Sequence, residues 1–392
     1  MTRTLALVES PVQLLNALEW AHRYAQGTDR GEGAPLPGDP AEHPGGGPDA
    51  AAGPRSADTA GPAQSAAIPA QRGTAAALPP GRLSIAVLQP QDPVTRAQLA
   101  ALAELAIAEG IRVTAYDPRG GPRGRARSLA ALAPRMALAP RLLIGDAFSG
   151  LIQALLPVSR ADELVVVDDG TATVELVDLL ESGRPLVRWH RGGKGSASAA
   201  RAARRLASLP PRRLELFTSL PVKPPAGALG TANLYSWTRD RFGPPRVLPG
   251  ADLLGSSLVE TGIVAPERYL RTVAQLAADH GVRRYFAHRR EHPEKLARIA
   301  AATGAEIVRP RFPLEIEARR GPVSATLLSF PSTVVHTLPL VLDGTGVQVK
   351  ICAVDADWLT PDASARSLSF LTDVSTSARS RHGLEMISPV TA

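Results

Sequence analysis

Three short stretches of the chain have residue types and spacing that can do chemistry. Asp168-Asp169-Gly170-Thr171 follows the apolar run LVVV. Adjacent carboxylates at the end of a strand can ligate a metal, cap the following helix, or supply a base whose proton affinity is raised by its neighbour. His288 closes the run VRRYFA and is followed by Arg289, Arg290 and Glu291. An imidazole there can donate to a phosphate oxygen while the guanidiniums add charge; the plainer alternative is an exposed histidine in a polar turn. Ser329-Phe330-Pro331-Ser332-Thr333 joins ATLL to VVHTLPLVL. Hydroxyls and free N–H groups at a helix start form an anion site, or simply cap the helix.

Two other patterns are weaker. His288 to His292 spells H-x-x-E-H, which binds zinc when both histidines share one helix face. Pro293 works against that geometry, because the residue before a proline is pushed out of the helical region. Gly192-Gly193-Lys194-Gly195-Ser196 resembles a phosphate-binding P-loop but has Gly195 where Ser or Thr must follow the lysine; it reads as a flexible basic loop or a weak phosphate contact.

The chemistry-bearing loops all sit where an apolar run gives way to a helical pattern. LALVES leads into PVQLLNALEWAHRYA, with Leu14, Leu15 and Leu18 on one helix face. RLSIAVLQP, VTRAQLAALAELAIAEG and IRVTAYD form a strand-helix-strand unit, and RLLIGDAFSGLIQALL and ELVVVDDGTATVELVDLLE repeat the arrangement. The alternation restarts with DLLGSSLVE and APERYLRTVAQLAADHG and runs through VRRYFAH, PEKLARIAAATG, AEIVRP and SATLLSF. The expected fold is therefore α/β, GT-B-like, with two Rossmann-like domains facing across a cleft, where ligands sit beyond the carboxyl ends of strands. The first domain is expected over 1–220, a connection over 221–250, a second domain over 251–375, and a weakly periodic tail over 376–392. Residues 27–81 carry Gly, Pro, Ala, Ser and Asp with almost no large apolar residue, and are expected to be a disordered insertion.

Composition narrows the function classes. The 392 residues are 44% hydrophobic and 21% charged, enough apolar material for buried cores. A lone cysteine, Cys352, excludes an intrachain disulfide scaffold and a cysteine-rich zinc site. Glu9 interrupts the first apolar run before a signal-peptide core is complete, and no stretch approaches the roughly 20 apolar residues of a membrane helix. The expected location is cytoplasmic, either soluble or peripheral on the inner face of the membrane. Net charge is +7, and all but four of the 44 basic residues are Arg, with clusters at Arg119 to Arg127 and Arg201 to Arg213. Nucleic acid is disfavoured as a partner; an anionic membrane surface or a phosphorylated ligand accounts for the charge equally well.

Taken together, the motifs resemble bacterial sialyltransferases of glycosyltransferase family 52 and the related polysialyltransferase group. The points of resemblance are ESPVQLL at the opening, LLIGDAFSGL, VVVDDGT as the acidic motif, FAHRRE at the HP motif, RPRFPLE, and SFPST as the Ser/Thr motif. They occur in the family's order and cover most of the chain outside the insertion and tail.

The resemblance implies a GT-B fold, CMP-sialic acid as donor substrate with no cofactor, inversion at the anomeric carbon and no required metal. It makes Asp169 the general base and His288 the group that assists departure of the CMP phosphate. Ser332 and Thr333 would bind that phosphate, with Glu315 near the nucleotide, and Ser329, Arg289 and Gly170 would complete the donor-binding set. Ser10, Gln13 and Asp168 would lie on the acceptor side, facing a glycan or lipid-linked glycan. The chain departs from the family at Arg289, which stands where the HP motif has proline. Two other classes stay open: a transferase or epimerase using another nucleotide-sugar on the same fold, and a catalytically silent glycan- or lipid-associated binding protein.

Overall fold

A computed structural model describes residues 3–25, 82–188, 195–361 and 363–388. The expected insertion, 27–81, lies outside the described residues, as do Gly192 to Lys194 and the last four residues.

In chain order the first half contains β1 (Thr4–Val8), α1 (Pro11–Ala25), β2 (Leu83–Leu88), α2 (Pro93–Ala108), β3 (Arg112–Tyr116), α3 (Gly121–Leu138) and β4 (Arg141–Ile144). It continues through α4 (Gly150–Leu155), a 3-10 turn (Leu156–Val158), β5 (Glu163–Val167), α5 (Thr171–Glu181), α6 (Ala197–Ala207), β6 (Leu214–Thr218) and β7 (Leu229–Ala232). The seven strands form one parallel sheet in the order β3-β2-β1-β4-β5-β6-β7. Ala6 and Val8 point to the layer of α1 and α2, while Leu5 and Leu7 point to the layer of α3 to α6. Burial on both faces is why these strands read as unbroken apolar runs. The winding reverses between β1 and β4, which makes their carboxyl ends the switch point where a crevice opens.

Then follow α7 (Ser236–Phe242), β8 (Val247–Leu254), α8 (Pro266–His280), β9 (Val282–Phe286), α9 (Pro293–Thr303), β10 (Glu306–Val308) and α10 (Leu314–Arg320). The chain ends with β11 (Val323–Ser329), α11 (Val334–Val341), β12 (Gln348–Cys352), α12 (Ala365–His382) and β13 (Glu385–Ile387). A second parallel sheet, ordered β10-β9-β8-β11-β12-β13, reverses between β8 and β11. Two Rossmann-like units with matching reversals make the α/β, GT-B-like architecture expected of the alternating pattern.

The structure revises two boundaries. The stretch 221–250 is more than a connection: β7 extends the first sheet, α7 fills the space between the sheets, and β8 begins at Val247. Three buried donors, the N–H groups of Trp237 and Thr238 and the Thr238 hydroxyl, end on the Glu19 carboxylate, so α7 is capped by a side chain of α1. Nor is 376–392 a separate tail, since α12 runs through its start and β13 pairs with β12. Its apolar stripe is thin, Leu371, Val374 and Ala378, and the hydroxyls of Ser375 and Ser377 fold back on the carbonyls of Leu371 and Val374. That self-satisfaction lets a Ser-rich helix bury one side while its composition hides the period.

The two units share one apolar cluster, which passes from Leu14 and Leu18 through Tyr235 and Trp237 to Ile316 and Leu338. Arg381, near the end of α12, reaches back to the first unit and donates to the Ser219 carbonyl at 2.7 Å. No helix of the described residues is long and apolar enough to cross a membrane.

Candidate active site

The carboxyl ends of β1, β4, β5 and β6 bring Glu9, Gly145, Asp146, Asp168, Asp169 and Ser219 to one sheet edge. Asp168 is buried, and both of its oxygens are taken. One accepts from the Gly170 N–H at 2.9 Å and the Thr173 hydroxyl at 2.7 Å, the other from the hydroxyls of Thr218 at 3.0 Å and Ser219 at 3.3 Å. It holds the loop rather than facing an acceptor. Gly170 has φ +66, a conformation that disfavours any side chain and turns the chain sharply into α5.

Asp169 is the carboxylate left facing the crevice, with 22% of its side chain exposed. Arg188 stands 3.5 Å from Asp169 and 3.1 Å from Asp146, and its guanidinium lies over the Phe148 ring. The Gln13 side chain also acts on Asp169, favouring its charged form. Burial, and then the like charge of Asp146, raise the Asp169 carboxyl to about 7, against the pull of Gln13, Arg188 and Arg289. Gln13 also accepts from the Glu9 N–H at 2.7 Å, and this posture requires Gly145, where a Cβ would fall 2.2 Å from the Gln13 oxygen. Ser10 accepts from the Gln13 N–H at 3.3 Å and so supports the start of α1. Glu9 pairs with Arg119.

Asp146 and Arg188 escaped residue-by-residue reading of the sequence. Asp146 carries a signal, an acidic residue beside a glycine directly after an apolar strand, as in the Asp168 loop. Arg188 lies in irregular chain and carries none. A further feature also escaped: Gln13, Asn16, Glu19 and His22 recur every third residue of α1 and are almost fully buried. Asn16 donates to the Asp168 carbonyl at 2.9 Å and accepts from Asn233, Glu19 caps α7, and His22 meets Asp240 at 3.0 Å. This polar ridge ties the acidic loop to the segment between the sheets; its signal was a polar residue at period three in an otherwise apolar helix.

In the second unit His288 follows β9. The Arg290 N–H donates to its Nδ1 at 3.2 Å, so the neutral ring carries its proton on Nε2. Burial, followed by the charges of Arg289, Arg290 and Lys295, lowers its pKa to about 4. Below it, Glu291 is buried and committed: it accepts from Tyr285 at 2.6 Å and the His288 N–H at 2.6 Å, and pairs with Lys295 at 2.8 Å. His292 is extended, φ −68 and ψ 143, as the residue ahead of α9, so the zinc-helix pattern never forms a helix. Among the described residues no three His, Cys, Asp or Glu side chains gather as a metal would need.

Ser329 is buried, and its hydroxyl donates to the Phe330 carbonyl, which turns it into the fold. Glu315 is buried too and accepts from Thr337 at 2.7 Å; burial raises its pKa, and the charge of Asp168 adds to the rise. Ser332 and Thr333 are half-exposed at the start of α11, and Thr333 makes no capping bond with its side chain. Gln13, Asp169, Gly170 and Thr333 thus converge between the sheets, with Arg289 reaching Asp169 electrostatically, while Ser10, Asp168, Ser329 and Glu315 build the walls behind them.

No family model and no curated protein matches the sequence. Among solved structures, the chain is similar to an alpha/beta-galactoside alpha-2,3-sialyltransferase from Photobacterium phosphoreum, with 9% identity over 98% of this chain and 99% of that one and a TM-score of 0.48. It is also similar to the E. coli heptosyltransferase WaaC with ADP-2-deoxy-2-fluoro heptose, at 13% identity over 95% and 99% of the chains and a TM-score of 0.39. MurG of Acinetobacter baumannii aligns at 10% identity over 100% of this chain and 87% of its own, with a TM-score of 0.40.

Proposed function

We propose that the chain is an inverting glycosyltransferase that moves sialic acid from CMP-sialic acid to a hydroxyl of a glycan or lipid-linked glycan. One observation carries the reading: two groups of complementary chemistry stand at the carboxyl ends of strands in opposite units, the Asp169 carboxylate with raised proton affinity and the neutral His288 donor, while the two sheet edges meet at Gly170 and Thr333 and Arg289, next to His288, acts on Asp169 through its charge. In the reaction the acceptor oxygen bonds to the anomeric carbon as the bond from that carbon to the CMP phosphate breaks. Asp169 takes the acceptor proton, and attack opposite the leaving group inverts the centre. The Nε2–H of His288, the guanidiniums of Arg289 and Arg290 and the hydroxyls of Ser332 and Thr333 meet the charge that grows on the phosphate. Asp168 has no free oxygen to pair with Asp169 around a cation, so side chains supply the charge compensation in this scheme.

A second reading follows from Arg289. A guanidinium in place of the HP-motif proline alters what the His288 turn offers a donor, and favours a GT-B transferase or epimerase with a different nucleotide-sugar. Thermal-shift measurements with CMP, UDP, GDP and their sugars decide between them. Stabilisation by CMP together with transfer from CMP-sialic acid supports the first reading. Stabilisation by UDP or GDP compounds alone ends it in favour of the second, and no response to any nucleotide ends both.

A further inference from the structure

The outer face of the first unit carries a feature that nucleotide and acceptor chemistry leaves unused. The helices α3 and α6, with the 3-10 turn Leu156–Val158 packed against both, cover the sheet face opposite α1 and α2, on the side away from the second unit. Neither helix contains an Asp or Glu. On α6 the residues turned inward are Ala199, Ala202, Ala203 and Leu206, which leaves Arg201 and Arg204 exposed. On α3 the inward residues are Ser128, Leu132 and Met136, and Arg123, Arg125 and Arg127 are exposed. None of these five arginines forms an ion pair among the described residues. The acids of this layer sit at its margins: Asp117 ahead of α3, Asp162 beside Arg205, and Asp178 and Glu181 on α5, which packs along the other side of α6.

The same face exposes large apolar side chains. Leu138, at the end of α3, is 83% exposed, and Val158, in the adjoining turn, is 48% exposed. Single exposed apolar residues are ordinary. Here Val158 lies in the turn that touches both basic helices, and Leu138 closes α3 about 16 Å along the helix from Arg127, so charge and apolar groups share one long face. That combination selects among partners: a nucleic acid would use the arginines and leave Leu138 and Val158 in water, whereas a bilayer interface takes up both, charge at the headgroups and aliphatic groups just beneath them.

We propose that the face formed by α3, the 3-10 turn and α6 is a docking surface for anionic phospholipid headgroups, with Leu138 and Val158 entering the interface. Such docking would hold the protein by its first unit and leave the crevice between the sheets free. This assignment rests on surface charge and exposure, independently of the reaction proposed above.

The test is sedimentation of the full chain with vesicles of phosphatidylcholine alone and of phosphatidylcholine mixed with phosphatidylglycerol. Binding is expected only to the anionic vesicles, and it should weaken as salt rises. Each arginine near an anionic surface is worth roughly fivefold in partitioning, so Arg123→Gln/Arg125→Gln/Arg127→Gln should reduce binding roughly 100-fold. Arg201→Gln/Arg204→Gln on the separate helix α6 should reduce it as well, which guards against misfolding of a single variant. Leu138→Ser/Val158→Ser should weaken binding without changing its salt dependence. Absence of vesicle binding, equal binding to neutral and anionic vesicles, or wild-type binding by both arginine variants overturns the proposal. Binding of duplex DNA with no binding of vesicles overturns it in favour of a nucleic-acid surface. Because vesicle binding is read without any sugar transfer, failure here is distinct from failure of the catalytic reading.

Discussion

Thr333 stands against Gly170: a Cβ built on Gly170 would lie 3.2 Å from the Thr333 methyl carbon. The acidic loop of the first sheet and the Ser/Thr loop of the second therefore touch, although 162 residues separate them in sequence. Their contact makes one site of two sheet edges, and it ranks the residues around it by what each loses on substitution.

Gly170→Ala should lower both Tm and turnover, because the new side chain meets Thr333 and must adopt φ +66. Adding Thr333→Ser removes the methyl and keeps the hydroxyl. Partial recovery in the double variant, measured by Tm and transfer rate, separates the contact from the backbone cost; full recovery would show that the positive φ is harmless.

The two carboxylates of the acidic loop should part company. Asp169→Asn is expected to lower transfer by roughly 100-fold or more while CMP affinity and Tm hold. Asp168→Ala leaves four donors without their acceptor in a buried loop and should instead cost stability, about 1–3 kcal/mol per group that stays unpaired. Normal specific activity in the Asp169 variant would end its assignment as base.

His288→Ala should weaken nucleotide binding as well as turnover, since the Nε2–H is proposed to contact the donor phosphate. Calorimetric titration with CMP beside the transfer assay checks this. Unchanged CMP affinity would remove His288 from the leaving-group side.

The pH dependence follows from the Asp169 carboxyl, raised to about 7 by burial and by Asp146. A base works only when deprotonated, so transfer should rise with pH and level off above about 7. Asp146→Asn removes a like charge and should move the rising limb to lower pH, whereas Arg188→Gln removes a cation and should move it higher. Equal displacement in the same direction for both variants would contradict the arrangement.

Glu19 offers a test of the joint between the units. Glu19→Ala strips the acceptor from the Trp237 and Thr238 N–H groups at the start of α7, and should cost about 1–3 kcal/mol for each donor left unpaired, read as a fall in Tm. Turnover per folded molecule should fall too if α7 sets the relation of the sheets.

Much of the fold was legible locally. Strands covered on both faces leave continuous apolar runs, and Pro at helix starts and Gly at helix ends mark the boundaries of α8 and α9, so the alternation that defines two Rossmann-like units could be read directly. The same grammar singled out the loops holding Asp169, His288 and Thr333, because each follows or precedes an apolar strand. It failed where composition and burial diverge, at β7, α7 and α12. There short or Ser-rich segments bury themselves only because a distant partner, such as Glu19 or α11, supplies the missing acceptor or surface.

What the sequence by itself determined was the order of elements and the identity of the chemically able groups. Which of those groups face the crevice was decided by tertiary structure alone. Asp168 and Asp169 are the same residue type one position apart, yet Thr218 and Ser219, brought in by β6, consume one oxygen of the first, while Asp146 and Arg188, from two other loops, surround the second. A carboxylate's role depends on how many donors and charges reach it in space, and those come from strands that adjoin only after the sheet has formed.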